Sequence, residues 1–313
     1  APGLVAGNTT LLKHASNVSR CALAIETILR DAGVPDGVFV TLLVPSSRVN
    51  GLIADERIAA VTLTGSEPAG RAVGAAAGAH LKKTVLELGG SDPFIVLDDA
   101  DLEKTAACAV TARYQNCGQS CIAAKRFIVT PGIHDRFLEA FRSAVSELKP
   151  ADPMDPDTRI GPMARTDLRD ELHRQVSDAV HKGARVVIGG EVPEGPGAWY
   201  PPSILADTHP GMKLWAEEVF GPVAVVIRAG NEAAAVAIAN ASRFGLGGSV
   251  WTRDPERGEA VARRLACGAA FVNTVVKSDP RLPFGGIKAS GYGRELSRHG
   301  LREFVNAKTV WAG

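Results

Sequence analysis

Short apolar runs alternate with helical patterns along most of this chain, and that alternation restricts its fold more than any other feature. Residues 9–12 read as a strand. Ser16 can cap a helix whose apolar positions Val18, Cys21, Ala22, Ile25, Ile28 and Leu29 fall on one face. Gly33, Pro35 and Gly37 stop that helix. Strand-like runs follow at residues 38–44, 59–63 and 84–88, with a short helix at 49–55 and an Ala/Gly-rich helix at 68–79. Strands separated by helices pair in parallel, so the pattern predicts a doubly wound sheet. A second series runs through strand 94–97, helix 102–114, strand 126–129 and helix 134–148. A Pro/Asp-rich surface connection at 149–162 leads to helix 167–182. Strands at 185–188, 223–227, 249–251 and 270–272 complete it, with helices at 232–239 and 255–265.

A chain of 313 residues that is 45% apolar can bury enough for two domains. Its net charge of +1 offers no field for tracking nucleic acid or an acidic membrane surface. No run of eighteen apolar residues occurs, so no membrane span is expected. The cysteines, Cys21, Cys108, Cys117, Cys121 and Cys267, are odd in number and lack a scaffold pattern, which favours a reducing cytoplasm. Cys117 and Cys121 have no second Cys or His pair nearby, so no metal site is expected. Residues 1–8 read as a helix end and a turn before a strand, so we expect a piece of a longer protein.

Chemistry concentrates in a few segments. In Tyr114-Gln115-Asn116-Cys117-Gly118-Gln119-Ser120-Cys121, a thiol follows a polar turn whose N–H groups can face an oxyanion and lower the thiol pKa. The plain alternative is a buried structural cysteine. In Val85-Leu86-Glu87-Leu88-Gly89-Gly90 a single carboxylate interrupts an apolar strand. Unpaired carboxylates do not enter cores readily, so Glu87 either faces water at a strand end or serves a site. Gly89 permits close approach of a ligand. Thr64-Gly65-Ser66-Glu67-Pro68-Ala69-Gly70 joins a strand to a helix, and helix N-termini bind phosphate. It is not the GxGxxG fingerprint. Lys13 and Ser16 stand at a strand end, where doubly wound sheets bind ligands.

Together these segments resemble the catalytic and cofactor motifs of the NAD(P)-dependent aldehyde dehydrogenase superfamily, nearest its succinate-semialdehyde dehydrogenases. Ala216-Glu217-Glu218-Val219-Phe220-Gly221-Pro222, Phe271-Val272-Asn273 and the glycine-rich run 282–295 are similar to the same family. The resemblance covers residues 7–311. It implies an α/β fold with an incomplete doubly wound coenzyme domain at 1–89 and an α/β catalytic domain at 90–289. Residues 290–304 would return to the coenzyme domain and 305–313 would form an oligomerisation strand. Glu87 would then stand at the hinge.

By the same resemblance Cys121 is the nucleophile and Glu87 the base that activates the deacylating water, with its pKa raised by an apolar site. Gly65 and Ser66 would hold the cofactor's pyrophosphate. Lys13 would reach the adenine ribose. Leu88 and Gly89 would also line the cofactor, Glu218 would hold the nicotinamide ribose, and Phe220 would pack near the nicotinamide. Relatives that take NAD often carry Glu where this chain has Ser16, so NADP is favoured over NAD. Ser278, in the loop Lys277-Ser278-Asp279-Pro280-Arg281, would help hold a substrate carboxylate. Some relatives place an Arg where this chain has Gln115. The family's Trp-Asn oxyanion segment has no match here.

The implied reaction is oxidation of succinate semialdehyde, a small-molecule aldehyde, through a thiohemiacetal and a thioester. Another aldehyde is the alternative substrate. A homodimer or homotetramer is the expected assembly. A cofactor-independent thiol hydrolase would leave the Gly65 turn without a role. A non-catalytic or catalytically incomplete piece of such an enzyme is the other rival: the presence of both Cys121 and Glu87 argues against it, while the missing oxyanion segment and N-terminal part argue for it and would leave this piece inactive alone.

Overall fold

The computed structural model describes residues 1–313. The chain forms two compact units, Ala1–Glu87 with Ser278–Gly285 and Gly291–Gly313, and Leu88–Lys277 with Gly286–Ser290. The expected α/β architecture is the one observed, with helices joining most of the parallel strands.

In the first unit, β1 (Thr10–Lys13) pairs in parallel with β2 (Phe39–Leu42), and helix α1 (Ser19–Asp31) runs between them. Ser16 does not cap that helix. It opens a short 3-10 turn, Ser16–Val18, and its hydroxyl makes no hydrogen bond. Strand β3 (Ala60–Thr64) pairs in parallel with β4 (Lys83–Glu87), joined by α2 (Glu67–Ala79). Ser66 caps α2 by accepting from the Ala69 N–H at 3.5 Å. On the other edge of β4, Gly291–Tyr292 adds antiparallel, placing Gly291 opposite Glu87.

The second unit holds a seven-stranded sheet. Its strands are β5 (Asp92–Val96), β6 (Ala124–Val129), β7 (Arg185–Ile188), β8 (Ser203–Ala206), β9 (Val223–Arg228), β10 (Gly247–Trp251) and β11 (Ala269–Val272). The order is β11-β10-β5-β6-β9-β8-β7, and only the β7–β8 pair is antiparallel. Helices α3 (Leu102–Tyr114), α4 (His134–Ser146), α5 (Thr166–His181), α6 (Glu232–Asn240) and α7 (Pro255–Ala262) cover it. Strands in such a sheet are buried on both faces, which explains the unbroken apolar runs. Phe94 stacks on Trp251 with centroids 4.8 Å apart, and Phe127 meets Phe141 at the same separation.

Residues 305–313 do not form the expected strand. They are irregular and exposed in the single chain, and the oligomerisation strand expected there would need backbone partners from another chain. The structure also groups Ser278–Gly285 with the first unit, whereas the sequence reading kept that segment with residues 90–289.

Candidate active site

The turn carrying Cys121 is built by α3. Arg113, in the last turn of that helix, is fully buried and donates to Gly118 O at 2.5 Å and Ala124 O at 3.1 Å. These bonds brace the loop on both sides of the thiol. Asn116 and Cys117 both adopt left-handed backbone, at φ 54° and 53°. Asn tolerates this conformation, and its Nδ2 donates to Gln119 O at 3.0 Å. Cys117 does not, and strain of roughly 1–2 kcal/mol is held there by the surrounding packing. Gly118 also has positive φ, and a Cβ there would press on the Gly221 backbone, so only glycine fits. Gln119 Oε1 accepts from the Ala164 N–H at 2.8 Å and ties the turn to the segment before α5.

Cys121 is half-buried. Burial pushes its thiol above the ordinary cysteine value. The Lys125 ammonium pulls it back, the Asp92 and Glu218 carboxylates add to the rise, and the Ile122 N–H opposes it. The lowered pKa expected from the turn's N–H groups is therefore not what the structure gives. Desolvation outweighs the donors because two carboxylates offset the one ammonium. Cys117 is buried more deeply, and desolvation lifts its thiol to about 12, against the pull of Arg113. At neutral pH it is an inert thiol.

Lys125, which sequence reasoning missed, lies at the start of β6 with its side chain fully buried. Its Nζ donates to Ser120 O at 2.8 Å and Cys121 O at 2.7 Å, and stands 3.3 Å from Glu218 Oε1. That same Glu218 oxygen accepts from the Gly90 N–H at 3.0 Å. A Cβ on Gly89 would collide with the other Glu218 oxygen, so Gly89 keeps the carboxylate's place open. Gln175 steadies the loop by donating to Glu217 Oε2 at 2.9 Å and Glu218 O at 3.2 Å. Phe220 is half-buried in the same loop. The Leu88 N–H bonds Ser290 O, and Ser290 Oγ donates to Gly89 O at 2.6 Å. Cys121, Leu88, Gly89, Glu218 and Phe220 thus belong to one unit, and Lys125 links Glu218 to the Cys121 backbone. The signal for Lys125 was two cations, Lys125 and Arg126, inside an apolar strand of a parallel sheet, where charge must be paired.

Glu87 closes β4 in the first unit and is 3% exposed. Neither of its carboxylate oxygens has a hydrogen-bond partner. Burial pushes its carboxyl up to about 8; the Glu295 charge adds to this and Arg294 opposes it. The rise is in the expected direction. The Gly65 N–H donates to Glu87 O at 2.9 Å, so the Gly65-Ser66 turn and the glutamate sit on neighbouring strand ends. Gly65 and Ser66 are exposed at the N-terminus of α2.

Lys13 ends β1, and its Nζ donates to Ser46 Oγ, beyond the end of β2, at 3.4 Å. Ser16 is exposed, and no hydrogen bond joins it to Lys13. Ser278 is exposed. Arg281 beside it is held bidentate by Asp279 at 2.9 and 2.6 Å, which occupies one of the two loop cations.

The aldehyde dehydrogenase family model matches residues 1–310. A succinate-semialdehyde dehydrogenase [NADP(+)] of Mycobacterium ulcerans is 54% identical over 313 residues, which is all of this chain and 68% of that protein. One from Mycobacterium avium is 52% identical over the same span and 66% of its length. The solved succinic semialdehyde dehydrogenase of Streptococcus pyogenes, in complex with NADP+, superposes with a TM-score of 0.97 at 40% identity, covering all of this chain and 69% of that one. A match along nearly its whole length and identity above half to proteins of this kind place the chain in the aldehyde dehydrogenase family.

Proposed function

We propose that this chain belongs to an enzyme that oxidises succinate semialdehyde to succinate with NADP+. The observation that carries the reading is identity above half, along the whole chain, to proteins of that name. Cys121 is the nucleophile. Its thiolate adds to the aldehyde carbon, and turn N–H groups hold the oxyanion. NADP+, when bound, accepts the hydride that leaves that carbon. The thioester left on Cys121 is then hydrolysed.

Glu87 takes a proton from the attacking water, a task suited to a carboxyl whose pKa stands at about 8 and whose oxygens lack other partners. Lys13, Ser16 and Ser46 offer one cation and hydroxyls for the adenine ribose and its phosphate. Gly65 and Ser66 meet the pyrophosphate. Leu88, Gly89, Glu218 and Phe220 line the nicotinamide end. Ser278 donates to the distal substrate carboxylate. No helix is long and apolar enough to cross a membrane. All five cysteines are free, which supports a cytoplasmic setting. The exposed Val310 and Trp311 support a homo-oligomer.

The test is turnover by the full-length protein, followed by absorbance of reduced cofactor. Cys121→Ala should bind NADP+ and produce no NADPH from succinate semialdehyde, while Cys117→Ala keeps much of its activity. Substantial NADPH from Cys121→Ala would end the assignment.

A further inference from the structure

Lys125 is a cation with no water around it. Removing an ammonium from water costs several kcal/mol unless its partners compensate. Here three oxygens do so: Ser120 O, Cys121 O and Glu218 Oε1. Two of these partners are the backbone carbonyls on either side of Cys121, its own and that of Ser120, and the third is the carboxylate that also accepts from the Gly90 N–H. An apolar side chain of similar length could fill the same volume. It would leave Cys121 O without this donor, and Ser120 O and Glu218 Oε1 with only the Ala123 and Gly90 N–H groups. The cation therefore acts on the cysteine loop and on Glu218 at once.

We infer that Lys125 is a positioning residue for Cys121: it pins the loop through two carbonyls, sets a positive charge beside the thiol, and holds Glu218 docked on Gly90. This rests on Cys121 being the nucleophile. The charges facing the thiol come from three other elements. Asp92 lies at the start of β5, Glu218 in the loop before β9, and Lys125 on β6 itself. Arg113 of α3 acts on Lys125 as a like charge. Among the groups acting on the Cys121 thiol, Lys125 is the one positive charge. Burial lowers the lysine's own pKa, and Glu218, Asp92 and Cys121 counter that by favouring the charged form.

The inference makes opposite predictions for the two partners. The readout is iodoacetamide alkylation of Cys121 in the full-length, cofactor-free protein, followed on the Cys121 peptide by mass spectrometry so that exposed Cys21 does not interfere. At about pH 7.5, Lys125→Met should slow alkylation roughly tenfold, and the gap to wild type should narrow as the pH is raised and the thiolate forms without help. Lys125→Arg should restore the rate at about pH 7.5 to within roughly threefold. Glu218→Gln, which removes an opposing charge, should speed alkylation. A distorted loop would change the rate at every pH and in one direction for both sites. Wild-type alkylation in a folded Lys125→Met protein would overturn the inference. Should Lys125→Met not fold, unchanged or slower alkylation in Glu218→Gln overturns it instead. Because no turnover is measured, failure here leaves aldehyde oxidation standing, and failure of aldehyde oxidation leaves this result readable.

Discussion

Deacylation should switch on with pH in a window far above that of an ordinary glutamate. Glu87 is 3% exposed, its oxygens have no partner, and its carboxyl titrates at about 8. A raised pKa keeps the proton on, so the base form is scarce in acid and accumulates as pH rises. At about pH 6 roughly one molecule in a hundred carries the ionised base, and at about pH 8 half do, so hydrolysis of the thioester should accelerate about fiftyfold between them. An ordinary glutamate would already be ionised at the lower pH and would give almost no change.

The assay is pre-steady-state. Enzyme, NADP+ and succinate semialdehyde are mixed at each pH, the burst of reduced cofactor reports acylation, and the slow phase reports deacylation. The slow phase should follow the ionisation, and Glu87→Gln should retain the burst while its slow phase becomes small and flat. A wild-type slow phase that is flat from about pH 6 to about pH 8 would refute the reasoning. So would a Glu87→Gln profile that still rises like the wild type.

Three further outcomes follow from the geometry. Ser16→Glu should shift preference from NADP+ toward NAD+ by roughly tenfold, since a carboxylate facing a phosphate costs about 1.4 kcal/mol; a ratio of kcat/KM values checks this. Gly89→Ala should weaken NADP+ binding, because its Cβ meets the Glu218 carboxylate and the strain is about 1–3 kcal/mol; a binding titration with wild-type affinity would contradict it. Ser278→Ala should erode the preference for succinate semialdehyde over butanal, read as kcat/KM on each. Equal efficiency of the wild type on both would remove the claim of carboxylate recognition.

The fold was largely legible because strands buried on both faces must be apolar throughout. Helix 102–114 and strand 185–188 match their observed bounds. What escaped depended on distant partners. Ser203–Ala206 is only four residues long, follows Pro201 and Pro202, and exists by pairing with its neighbours on either side. The two-residue strands at Phe244–Gly245 and Ile287–Lys288 have no period to read. Ser16 looked like a cap because Ser, followed by an apolar stripe, is the usual signature, yet a 3-10 turn intervenes.

The thiol's raised pKa was hidden for a similar reason. The local turn shows donors, but Asp92 and Glu218 reach the cysteine only in three dimensions. Lys125 fell outside the strand expected at 126–129, and its burial shows only in the folded strand Ala124–Val129.

The most direct test of the central claim is the mass of the Cys121 peptide from full-length Glu87→Gln after mixing with succinate semialdehyde and NADP+. The account predicts a succinyl thioester on Cys121, formed together with an equal amount of NADPH and decaying slowly. NADPH formed with no adduct on Cys121, or with the adduct on another residue, would contradict it.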